Sequence, residues 1–165
     1  MTETNHVTVP RIYAISPVVQ RVGPFHRAIA AAVAMACLAV LITAVSLQPN
    51  HSGMETHRQL GLAECQFLRT SGIPCPSCGM TTSFSWFVRG NVIASLYVQP
   101  MGTLLAAGAV LTFWTALYIA ATGKPLHRLM NLLPASYYVL IPMAVGIAAW
   151  GWKIFTHLSG VGGWG

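Results

Sequence analysis

Charge is what this sequence has least of: Asp, Glu, Lys and Arg make up 7% of its 165 residues, against 55% hydrophobic. A soluble globular domain carries about a quarter charged residues, so the composition disfavours that class and points to a membrane protein with room for one domain. Acidic groups number three, beside nine Lys and Arg. The basic residues stand singly and none interleaves with aromatics in a patch, which argues against nucleic acid as a partner. The net charge of +6 instead reports membrane topology and contact with anionic headgroups of a lipid bilayer. Cysteine is sparse as well. Four thiols are too few for a disulfide scaffold of this length, and three of them, Cys65, Cys75 and Cys78, fall within fourteen positions, which suggests a local site.

What the chain does have is uncharged helix. Ala28–Leu47, Met101–Ala121 and Leu132–Trp152 are each long enough, at about 1.5 Å per residue, to cross a hydrocarbon core of about 30 Å. The pattern predicts an all-α membrane protein with three transmembrane helices at about 28–47, 101–121 and 132–152, the last bent at Pro142. Residues 1–27 form a basic flexible tail interrupted by Pro10, Pro17 and Pro24. Residues 28–153 are the single membrane domain, and 154–165 a flexible, glycine-rich C-terminal tail. Within the domain, 48–98 holds a cysteine-rich loop and short helices. An interfacial helix over about 76–98 is interrupted at Gly90-Asn91, where Asn91 caps its second half and Arg89 caps the first or reaches headgroups. No span carries a charge in its interior, which disfavours proton relays, ion channels and charge-coupled transport. Small residues at four-residue spacing (Ala28, Ala32, Ala36; Gly108, Thr112; Ala144, Ala148) predict close helix packing. Arg11, Arg21, Arg27, Lys124 and Arg128 outnumber Arg58, Arg69, Arg89 and Lys153 by five to four, placing the N-terminus in the cytoplasm and the cysteine loop outside.

In Cys75-Pro76-Ser77-Cys78-Gly79 the sulfurs sit three positions apart, with Pro76 suited to open a helix. Free N–H groups at a helix start stabilise thiolate, and thiolate serves both metal ligation and thiol–disulfide exchange. Three readings follow. Cys65, Cys75 and Cys78 with His57, or His51 in its place, supply a Cys3His set for zinc. Cys75 and Cys78, with Cys65 as a third thiol, supply a redox pair, although the βαβ context of such pairs is missing. A plain disulfide or three packed thiols is the structural alternative. The non-enzymatic readings outweigh the oxidoreductase one. In all of them the segment is a cap and a candidate docking surface for another membrane protein.

The segment Cys65, Gly72-Ile73-Pro74-Cys75-Pro76-x-Cys78-Gly79-x-Thr81, followed by Arg89-Gly90-Asn91, Ala94 and Gln99-Pro100, resembles the signature of an uncharacterised family of small bacterial membrane proteins. That family's pattern runs C…T-G-x-x-C-P-x-C-G-x-T-R…G-D/N…A…N-P, and the match covers about residues 60–102. Ser71 replaces the usual Thr, and Thr82 stands where the family commonly has Arg, which removes a guanidinium beside the thiols. The resemblance implies a multi-pass protein of the bacterial inner membrane and implies no activity.

Overall fold

A computed structural model describes residues 22–124, 137–161 and 164. Among them the chain is helical, with no strand. The elements are α1 (Pro24–Ser46), a 3₁₀ turn (Thr56–Leu60), α2 (Gln66–Ser71), α3 (Met80–Val88), α4 (Val92–Val98), α5 (Pro100–Thr122) and α6 (Tyr137–Leu158). Three of these, α1, α5 and α6, are long and apolar enough to cross a membrane. At 23 residues, α1 and α5 each extend about 34 Å. Both start on a proline that needs no N–H partner. Inside α1, Thr43 Oγ1 donates to Ala39 O and Ser46 Oγ to Thr43 O, so hydroxyls facing an apolar surround are satisfied within the helix.

The first two spans form an antiparallel pair, bonded directly at one end and linked through α3 at the other. At one end Val22 N–H donates to Gly123 O (2.8 Å). There Arg27 donates from Nε to Ala120 O and from Nη2 to Ala121 O, closing the carbonyl end of α5. At the other end Arg89 donates to Ser85 O (3.0 Å), capping its own helix as expected, and also to Ala44 O and Val45 O at the end of α1. The packing face differs from the expected one. Ala28, Ala32 and Ala36 are exposed, and the buried small residues are Ala34 and Ala44 in α1 with Gly102, Ala106 and Ala116 in α5. Small residues recur on more than one face of these uniformly apolar helices, so spacing alone does not select the contact. One small residue, Gly102, serves α3 instead: a Cβ there would lie 2.9 Å from Ser83 Cβ.

The interrupted short helix is present as α3 and α4, with Asn91 Oδ1 accepting from Ala94 N–H at the break. Its start is Met80 rather than Pro76, because Gly79 at φ 86° breaks the helical path before it. Both helices pack on the start of α5 through a buried hydroxyl cluster. Ser83 Oγ lies 2.9 Å from Ser95 Oγ and 3.2 Å from Thr103 Oγ1, while Ser95 Oγ donates to Ser83 O (2.8 Å).

Helix α6 continues to Leu158, past the boundary expected at Trp152; its expected start at Leu132 lies outside the described residues. Lys153 therefore sits within the helix instead of closing it. The following chain is also held. Tyr97 Oη donates to Val161 O (2.7 Å), and Trp164 N–H donates to His51 O (2.9 Å). Much of α6 presents apolar side chains outward, among them Val139, Ile147 and Phe155, and its polar attachments to the rest of the fold come from Trp150 onward.

Candidate metal centre

Local geometry brings three sulfurs together from separate turns of chain. Cys65 precedes α2 in extended conformation, and α2 is ended after six residues by Gly72 at φ 71°, whose N–H reaches Leu68 O. The chain then reverses through Ile73 and buried Pro74 into a turn in which Cys78 N–H donates to Cys75 O (3.0 Å). Gly79 completes the turn. A side chain there would meet Gly53 O at 2.7 Å as well as facing a left-handed φ, so only glycine fits.

The Sγ atoms of Cys65, Cys75 and Cys78 all lie within 4.8 Å of one another, and the thiols are free. Cys75 and Cys78 Sγ lie 3.1 Å apart, far beyond the ~2.05 Å of a disulfide. Sulfurs bound tetrahedrally at ~2.3 Å would be about 3.8 Å apart, between the 3.1 Å of that pair and the 4.8 Å within which all three lie. Thiolate is a soft donor that suits zinc. A cavity of about 650 Å³ opens onto the three sulfurs, lined also by His57, Ser77, Met80 and Thr81 and by apolar Val40, Leu47, Leu60 and Phe84.

The thiols differ in chemistry. Burial pushes the Cys75 pKa up, but hydrogen bonds with Ser77, Cys78 and Cys65 outweigh it and lower it from 9.0 to about 7. Burial, reinforced by the neighbouring cysteines, raises Cys78 to about 12.

Of the residues singled out in the sequence, Cys65, Cys75 and Cys78 converge. His57 lines the same cavity but stands outside the sulfur group, its Nε2 lying 3.2 Å from Ala63 O. His51 is turned away, with Nδ1 3.0 Å from Trp164 O. Pro74 and Pro76 act through their carbonyls: Trp150 Nε1 donates to Pro74 O (2.9 Å) and Gln99 Nε2 to Pro76 O (3.0 Å). Thr82, standing where the related pattern has Arg, is buried and bonds Thr56 Oγ1 (2.7 Å), tying the 3₁₀ turn to α3. Thr81 faces the cavity, Gly90 takes φ 83° before the Asn91 cap, and Pro100 opens α5.

Sequence reasoning missed Trp150, Lys153 and Thr56. Lys153 is fully buried, and its Nζ donates to Gly53 O (3.1 Å) beside Gly79. A signal was available: Lys153 is followed by the helix-compatible run Ile154-Phe155-Thr156-His157-Leu158, so it stands inside an apolar helix.

Fold and site together define a helical protein with three candidate membrane spans, which supports a multi-pass membrane protein, and with a cysteine cluster able to hold a metal. Residues 65–113 match the family described as "Protein of unknown function (DUF2752)", in keeping with the resemblance carried by the CPxCG segment. No curated protein and no solved structure matches the chain.

Proposed function

We propose that Cys65, Cys75 and Cys78 bind a single zinc ion that clips the segment between α1 and α3 into a rigid cap on a multi-pass protein of the bacterial inner membrane. The observation that carries this reading is the meeting of three sulfurs within 4.8 Å in the lining of a cavity. His57, on the wall of that cavity, is the candidate fourth ligand after release from Ala63 O. The role is structural rather than catalytic. Leu60, Leu62 and Phe67 are exposed on the cap and are the apolar side chains it would offer to another membrane protein. The charge distribution supports a cytoplasmic N-terminus with the cap outside. Elemental analysis of the purified full-length protein should give one zinc per chain, and strong chelation should lower its Tm. Protein without metal, with a Tm indifferent to chelator and to added zinc, overturns the reading.

One observation favours a second reading. A low-pKa, partly exposed Cys75 lies 3.1 Å from a buried, high-pKa Cys78, an asymmetry suited to thiol–disulfide exchange. Cys75 thiolate would attack a partner's disulfide, and Cys78 would then displace the partner as a dithiol, leaving Cys75–Cys78 oxidised by two electrons. Alkylation trapping in cells should then catch both oxidised and reduced states; one unchanging state rules this out.

A further inference from the structure

Lys153 is the most conspicuous group that the clip leaves unexplained. Its side chain has 0% exposure, on a helix apolar enough to span a membrane. An ammonium taken out of water needs a counter-charge, and an uncompensated one costs several kcal/mol. Carboxylate does not provide it: among the described residues the acidic groups are Glu55 and Glu64, and both pair with Arg58, at 3.3 and 3.1 Å. The one hydrogen bond shown for Nζ goes to the neutral Gly53 carbonyl. Nζ also lies 3.1 Å from where a Cβ would sit on Gly79, the residue following Cys78, so the charge rests against the cysteine turn.

We infer that Lys153 is the buried counter-ion of the cysteine centre, holding the positive charge that makes a three-thiolate, divalent-metal site neutral overall. Three thiolates and one divalent ion sum to minus one, and the ammonium brings the assembly to zero where the surroundings are apolar. Of the other cations on this part of the chain, Arg58 is paired with the two glutamates, Arg89 with carbonyls of α1 and α3, and Arg69 is exposed to the surroundings, so Lys153 is the buried one. A merely structural role would rest on the Gly53 bond and on packing against Gly79, and would need no charge.

This inference rests on the metal reading, and one set of measurements separates the two. Full-length wild type, Lys153→Gln and Lys153→Arg are purified in detergent. Zinc affinity is read by chelator competition, and Tm is read with and without metal. Gln keeps an N–H donor and loses the charge; Arg keeps the charge. Lys153→Gln should weaken zinc binding about 10–100-fold, the range for groups just outside a metal's ligands, with Lys153→Arg within about threefold of wild type. Measured below pH 7, where Cys75 keeps its proton, the metal-free Tm of Lys153→Gln should equal or exceed that of wild type, since an uncompensated buried charge has been removed. Zinc affinity unchanged in Lys153→Gln overturns the inference and leaves the metal reading standing. So does a lowered metal-free Tm with the zinc-induced gain intact, which marks a structural role. Wild type that takes up no zinc overturns both.

Discussion

Cys75 and Cys78 stand on either side of the ordinary thiol pKa, at about 7 and about 12 around 9.0, and this separation sets the sign of a pH response in the metal-free protein. Between pH 7 and 9 the folded chain has released the Cys75 proton while the unfolded chain keeps it, so stability rises with pH. Between 9 and 12 the unfolded chain ionises a thiol that the folded chain holds protonated at Cys78, so stability falls. The Tm of metal-free wild type, less that of the Cys75→Ser/Cys78→Ser variant across the same pH series, should therefore peak near pH 9. A flat difference would mean that the two sulfurs do not interact as the 3.1 Å contact requires. The sulfur spacing was readable from the sequence because CPxC fixes two thiols within one turn. The contributions of Trp150 and Lys153 were not, because they come from a helix more than seventy residues away.

At the scale of elements, the short helices are held by polar bonds to the long ones. Gly102 is the contact point between α5 and α3: Gly102→Ala would force its Cβ to 2.9 Å from both Cβ and Oγ of Ser83, opening the hydroxyl cluster at a cost of about 1–3 kcal/mol. Asn91→Ala, which removes only the cap of α4, should cost about 1 kcal/mol. Denaturation of the two variants in mild detergent checks the order, with the glycine variant the less stable. The Asn91 cap and the break at Gly90 were legible because capping is local chemistry. The face on which α1 meets α5 was not, because low contrast around each helix lets several small-residue rows compete until tertiary contacts choose one.

On the scale of the whole molecule, the three spans were legible from length and composition, and their order follows from the chain. The side of the membrane on which the cap stands is a prediction of the charge rule. In intact cells with a permeabilised outer envelope, a membrane-impermeant maleimide should label Cys75 in chelator-treated protein carrying only that cysteine. Labelling only after the membrane that holds the protein is opened reverses the orientation. The attachment of α6 has a further consequence, one of timing. The loop carrying Gly53, Pro74 and Gly79 leaves the ribosome long before Trp150 and Lys153 that complete it, since Lys153 reaches back 100 positions to Gly53. Until the last helix is inserted, the cysteines wait in an unfinished nest. Biogenesis thus leaves an interval in which the thiols stand without the contacts of the last helix.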